Sequence, residues 1–243
     1  MRRHLRLFDI GACEGEDSVR FARRFPNARV FAFEPLPANQ ALVRANFARF
    51  STPKNELVPL ALSDRAGEAT FHVSSGRPRD EFAGQDWNYG NKSSSLLAPA
   101  TDAPMYGWIE FKEAITVRTD TLDHFCHERG IGHIDLVHMD VQGAEHLVLA
   151  GARALLPHIT AIWLEVSDQE LYAGQKLRNE IHELMRSHGF RLGYELRREL
   201  DGDQLYVNTR SPRAWRYLSA RAYRAFMMKA RMEAGRIWHA ISR

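Results

Sequence analysis

The sequence predicts an α/β fold, a doubly wound and mostly parallel sheet with helices on both faces and an antiparallel last strand. Three observations predict it. Short apolar runs alternate with stretches of helical spacing along most of the 243 residues. A glycine-bearing loop, Asp9-Ile10-Gly11-Ala12-Cys13-Glu14-Gly15, follows the first of these runs. The last two strands lie close together across the turn Asp201-Gly202-Asp203, so they form a hairpin rather than another crossover unit.

Each element has its own signal. Leu5 to Ile10 is a short apolar run, and residues 16–25 carry Val19, Phe21, Ala22 and Phe25 at helical spacing before Pro26 ends the helix. Residues 29–33 read as a second buried strand, and Pro37 opens a helix with Leu42, Val43, Ala45 and Phe47. Residues 56–62 and 69–73 read as two further strands, separated by the turn Asp64-Arg65-Ala66-Gly67. Residues 74–110 break the rhythm. They are rich in Ser, Gly, Pro, Asn and Asp and carry Phe82, Trp87, Tyr89, Tyr106 and Trp108, a composition expected of an insertion that forms a lid over a binding site. Regularity returns with a strand at 115–118, a helix at 121–129 ended by Gly130, a strand at 134–139 and a helix at 143–149. A strand at 159–166, a helix at 177–188 ended by Gly189, and the hairpin strands 190–196 and 204–208 complete the order.

Residues 1–210 are therefore expected to form the catalytic domain and 211–243 a separate basic helix. That tail holds Arg213, Arg216, Arg221, Arg224, Lys229, Arg231, Arg236 and Arg243 against Glu233, so the positive excess behind the chain's net charge of +3 is local and the remainder is slightly acidic. Its apolar residues Tyr223, Met227, Ala230, Ala234, Ile237 and Ile241 recur in steps of four and three. Such a stripe suits pairing into a homo-oligomer, attachment to an anionic membrane surface, or docking on its own domain. No stretch approaches the roughly 20 apolar residues of a membrane span, and the start is not a signal peptide. Cys13 and Cys126 form no disulfide framework and have no zinc-binding spacing. The expectation is a cytoplasmic protein, peripheral to the membrane if the tail binds one.

In a doubly wound sheet the ligand lies at the carboxyl ends of the strands, so the loops after the strands carry the chemistry. The first offers Asp9, Gly11, Ala12, Gly15 and Ser18. Its spacing is D-x-G-x-x-x-G, not the G-x-G-x-x-G on which a pyrophosphate rests, and Glu16 and Asp17 would repel a pyrophosphate. A ligand with an amino-acid head group fits better, its ammonium facing Asp9. The second loop presents Glu34 and Pro35, with Glu34 placed to accept both ribose hydroxyls of an adenosyl ligand. The third, Leu62 and Ser63, would lie beside the adenine. The fourth, Asp140-Val141-Gln142-Gly143-Ala144-Glu145, ends a buried strand and puts Asp140 beside the reacting group, where it could orient an acceptor, take its proton or ligate a divalent metal. Glu145 opens the following helix, where the dipole favours an acid, and Glu165 closes the apolar run Ala161 to Leu164 and so reaches the same edge.

In this order, Asp-Ile-Gly-Ala-x-x-Gly at 9–15, Phe-Glu-Pro at 33–35, Ala-Leu-Ser-Asp at 61–64, Ser-Ser-Leu at 94–96, Thr-Leu-Asp at 121–123 and Asp-Val-Gln-Gly-Ala-Glu at 140–145 resemble the FkbM-type methyltransferases over about residues 5–208. The resemblance implies a Rossmann-like, seven-stranded methyltransferase sheet and S-adenosylmethionine as donor. It implies O-methylation of a hydroxyl on a sugar, a glycan such as a bacterial polysaccharide, or a natural product. It also places donor contacts at Asp9, Gly11, Gly15, Glu34, Leu62 and Ser63, and with them go Ala12, Ser18, Pro35 and Asp140. Catalysis falls to Asp140, Glu165 and Glu145. Two residues depart from the family pattern: Glu14, where Asn is usual, and Gln142, where Glu is usual. An amide at 142 weakens the case for a metal site, since it cannot act as a base, but leaves a divalent metal open.

His138 alternates within a buried strand, His146 lies on a helix, and His124 and His127 have no partner motif, so all are expected to be structural. No Asn-Pro-Pro-aromatic loop for a flipped base is present, so a small-molecule or glycan acceptor is expected rather than a nucleic acid. The competing readings are a non-catalytic interaction module and a nicotinamide-dependent oxidoreductase.

Overall fold

Alternation along the strands decides what each face of the main sheet buries. In the computed structural model, which describes residues 4–77, 90–101 and 107–212, β1 (Arg6–Ile10) leads through a loop to α1 (Glu16–Arg24), β2 (Arg29–Phe33), α2 (Pro37–Arg49) and β3 (Asn55–Val58). Then follow β4 (Ala61–Leu62), β5 (Gly67–Ser75), β6 (Glu110–Asp120), α3 (Leu122–Glu128), β7 (Leu136–Met139), α4 (Glu145–Ala150), β8 (Ala161–Ser167), α5 (Arg178–Ser187), β9 (Phe190–Arg197) and β10 (Asp201–Asn208). Phe8, Ile10, Phe31, Phe33, Val137, Met139, Ile162 and Leu164 point to one face, where Phe125 of α3, Val148 of α4 and Ile181 and Met185 of α5 close over them. Leu7, Val30, Leu136, Ala161 and Trp163 point to the other, against Phe21 of α1. Both faces are covered, as a parallel sheet requires.

Seven strands pair in the order β3-β2-β1-β7-β8-β10-β9, and β10 alone runs antiparallel to its neighbours β8 and β9. The strand order reverses between β1 and β7, which locates the ligand-binding crevice at their carboxyl ends. This is the sheet that the alternation of elements predicts, including its antiparallel last strand. One strand is divided where the sequence suggests continuity. The run 56–62 forms β3 in the main sheet and β4 in a separate sheet of order β4-β6-β5, because Pro59 has no N–H with which to continue the ladder.

The 74–110 segment connects β5 to β6, an antiparallel pair of that smaller sheet. Its described part packs back on the domain: Ser95 bridges His72 of β5, and Pro99 bridges Tyr172 in the loop between β8 and α5. Phe82, Trp87, Tyr89 and Tyr106 of the expected lid, and the basic tail beyond Pro212, lie outside the described residues. Among the described residues, no helix is long and apolar enough to cross a membrane.

Candidate active site

A cleft of about 530 Å3 opens at the carboxyl ends of β1, β2 and β7. Of the donor-site residues expected from sequence, Gly11, Glu34, Pro35, Leu62 and Asp140 line it; Ile10, Cys13, Asn39, Phe71, Asn91, Lys92, Ser94, Leu96 and Gln142 line it as well. A mostly apolar wall with a few fixed polar groups is the usual composition of a small-molecule site.

Glu34 is buried at the head of β2's exit loop. Its Oε2 accepts from the Cys13 backbone N–H and its Oε1 from that of Leu36, both at 2.8 Å, so the carboxylate is locked to the glycine loop and to the start of α2. Each oxygen keeps a further lone pair, which is the donor set for a vicinal diol. Burial pushes its pKa up to about 7, against the pull of those two backbone bonds.

Gly11 and Gly15 have φ of +84° and +78°. A Cβ on Gly11 would sit 1.9 Å from the Asp140 carbonyl oxygen, whereas one on Gly15 would press on Val43 and Phe47 of α2. Gly15 thus admits a helix rather than a ligand. Gly11 brings the β1 and β7 loops together, so Gly11→Ala is expected to cost about 2 kcal/mol or more through its left-handed backbone and the clash. Thermal unfolding checks this; a variant as stable as the native chain would contradict it.

Several expected site residues are placed elsewhere. Asp9 is fully buried and faces α1 rather than the cleft, because it alternates with Ile10. Its Oδ2 accepts from Ser18 Oγ at 2.5 Å and its Oδ1 lies 2.8 Å from His138 Nδ1. Asp9 and Ser18 are therefore corrected from ligand contacts to supports beneath the glycine loop. His138, opposite Asp9 in the parallel register, is structural as expected. Although its burial opposes charge, the Asp9 bond and the charges of Asp17 and Asp9 win and push its pKa up to about 9. Ala12 is buried, its N–H bonded to the Phe33 carbonyl. Ser63 is also buried, with its N–H on the Asp120 carbonyl and its hydroxyl on Asp64. Neither lines the cleft.

The catalytic candidates meet around Gln142. Its Nε2 donates to Asp140 Oδ1 at 2.6 Å and to Glu165 Oε2 at 2.9 Å. Its Oε1 lies 3.1 Å from the Tyr172 hydroxyl, which donates to the Ser93 carbonyl at 2.7 Å. Ser95 Oγ, from the insertion, donates to the Gln142 backbone carbonyl at 2.7 Å, and Gln142 itself has φ of +55°. The amide's two N–H groups thus hold two carboxylates side by side. Burial raises the pKa of Asp140, and burial together with the charges of Asp140, Asp201 and Glu145 raises that of Glu165 well above the ordinary range. Arg198 also donates to Glu165, at 3.1 Å. Glu145 does not reach the cleft. Its Oε1 accepts from the Val141 N–H at 3.2 Å and so fixes the 140–144 turn. With Glu165 it lines a second hollow of about 400 Å3 that also contains Gln142, Tyr172, Gln175 and Asp201. Gln142 belongs to both hollows. Among the described residues, no group of three or more His, Cys, Asp or Glu is arranged to hold a metal ion.

Sequence reasoning passed over Asn39, Asn91, Lys92 and Tyr172. Only Ser-Ser-Leu at 94–96, which docks the insertion on the Gln142 loop, hinted at them.

Residues 9–192 match the family model described as the methyltransferase FkbM domain. The chain is 38% identical over 204 residues to 2-O-methyltransferase NoeI of Sinorhizobium fredii, covering 84% of this chain and 79% of that protein. It is 30% identical over 197 residues to 31-O-demethyl-FK506 methyltransferase FkbM of Streptomyces tacrolimicus, covering 76% and 72%. A further match, AMB antimetabolite synthetase AmbE of Pseudomonas aeruginosa, is 32% identical, and this chain spans only 10% of its length. Solved structures of similar fold include magnesium protoporphyrin IX methyltransferase of Synechocystis PCC 6803, at TM-score 0.45 and 12% identity over 85% of this chain and 71% of that one. The N-terminal domain of EvdMO1 is another, at TM-score 0.43 and 12% identity over 84% and 74%. The chain is thus an enzyme of the methyltransferase class. It belongs to the FkbM methyltransferase family.

Proposed function

We propose that this enzyme uses S-adenosylmethionine to methylate a hydroxyl of a sugar, glycan or natural product. The observation that carries the reading is the placement of Glu34, after β2, and Asp140, after β7, on one cleft at the carboxyl ends of the strands around the switch point. The relatives NoeI and FkbM, named as O-methyltransferases, support it.

The residues fit the donor. Glu34, pre-set by two backbone bonds, takes the ribose hydroxyls, and the apolar side chains of Leu62, Phe71 and Leu96 suit the flat adenine. When bound, the sulfonium supplies an electrophilic methyl group, so that the S–CH3 bond breaks as the O–CH3 bond forms. The protein's part is to align the acceptor oxygen and accept its proton. Asp140, with Oδ1 held by Gln142, receives that proton on Oδ2, and its raised pKa makes it a better base than an exposed aspartate. Glu165 and Tyr172, tied to the same amide, hold Asp140's orientation. The hollow containing Glu165, Gln175 and Asp201 adjoins Gln142 and offers acceptors to a polyhydroxyl substrate. The insertion, through Asn91, Lys92, Ser94 and Leu96 in the wall of the cleft, acts as the lid.

Incubation with labelled S-adenosylmethionine and a panel of free sugars, glycosides and macrolide alcohols tests the reading. It expects alkali-stable label in a methyl ether; transfer only to amines or carboxylates would sink it. Glu34 adds a pH signature. Ribose hydroxyls need the ionised carboxylate, whose pKa is about 7 in the free protein. Affinity for S-adenosylhomocysteine should therefore be full above pH 7 and fall up to about tenfold per unit below it. Calorimetry across this range checks the slope.

A further inference from the structure

Asn91 is almost wholly buried, with 7% of its surface exposed. Its Nδ2 donates to Glu14 Oε1 at 3.1 Å and to Asn39 Oδ1 at 3.0 Å. Two acceptors around one nitrogen fix the amide's orientation, because a flip would set oxygen against oxygen. Among the described residues, its Oδ1 is left buried with no hydrogen-bond partner, on a residue that lines the cleft. A buried acceptor without a donor costs about 1–3 kcal/mol, so a fold that fixes one from both sides holds it for a donor that arrives with the ligand. Lys92, the next residue, brings a cation into the same wall, 3.1 Å from Glu16. Despite its burial, the charges of Glu16 and Glu14 keep it firmly protonated. A buried carbonyl oxygen beside an ammonium makes a receptor for a zwitterion.

We propose that the 90–92 turn of the insertion binds the amino-acid end of the donor, with Asn91 Oδ1 accepting from its α-ammonium and Lys92 pairing with its α-carboxylate. Asn91 then fills the role that the sequence pattern suggested for Asp9, whose oxygens are taken by Ser18 and His138. The assignment rests on the cleft being an S-adenosylmethionine site.

The test compares S-adenosylhomocysteine with 5′-methylthioadenosine, which keeps the adenosyl group and sulfur but lacks the amino acid, by calorimetry on the full chain. Asn91→Ala and Lys92→Gln should each weaken S-adenosylhomocysteine by about tenfold or more, the value of one charge-assisted hydrogen bond. Methylthioadenosine should change by less than about threefold, and Lys92→Arg should keep most of the S-adenosylhomocysteine affinity. Equal losses for both ligands would show a packing role and overturn the proposal, as would variants that leave S-adenosylhomocysteine unaffected. A native chain that binds neither ligand would overturn the donor reading itself, and this assignment with it.

Discussion

Asp140→Asn is expected to slow methyl transfer by about 100- to 10,000-fold, the range for loss of a general base, while leaving donor affinity nearly unchanged. The substitution is isosteric and keeps an oxygen to accept from Gln142 Nε2, so the turn that carries it should survive. What it removes is the proton acceptor. Single-turnover rates and S-adenosylhomocysteine affinity, measured on the same preparation, separate the two effects. If rate and affinity fall together, Asp140 is a scaffold for the donor, not the base.

The second large effect is on stability. Asp9→Asn should destabilise the fold by about 3 kcal/mol at neutral pH, because it leaves the His138 imidazolium buried without its partner. The sign follows from linkage. His138 has a folded pKa of about 9, raised above the 6.5 of an unperturbed histidine. The stabilisation is therefore complete below pH 6.5 and is lost as pH rises through about 9, amounting to about 3 kcal/mol across that window. Urea unfolding of the native chain between pH 6 and 10 should show this decline, and Asp9→Asn should flatten it. A native chain of constant stability over that window would contradict the pair.

These residues also show what the sequence could and could not reveal. Strand and helix periods exposed the parallel sheet, and the acids following β2 and β7, Glu34 and Asp140, were legible because a charge after an apolar run lies at the sheet's edge, where polar partners gather. The face that Asp9 takes was not. It depends on His138, 129 residues away, becoming its neighbour in the β1–β7 register. Gly15 was legible as a turn but not as the floor for Val43 and Phe47, since that contact needs α2 in place. Gln142 looked like the loss of a carboxylate; only the fold brings Asp140 and Glu165 to its amide and shows it joining them. Asn91 lay in a segment without periodicity, where position along the chain says nothing of position in space. Fold and strand-end acids are thus local information, whereas the supports and the lid contacts are tertiary.

The most direct test is a crystal structure with S-adenosylhomocysteine bound. The account predicts both ribose hydroxyls on the Glu34 carboxylate and the sulfur facing Asp140 across the β1–β7 switch point. A nucleoside bound outside this cleft, or a ribose that leaves Glu34 without a ligand contact, would contradict it.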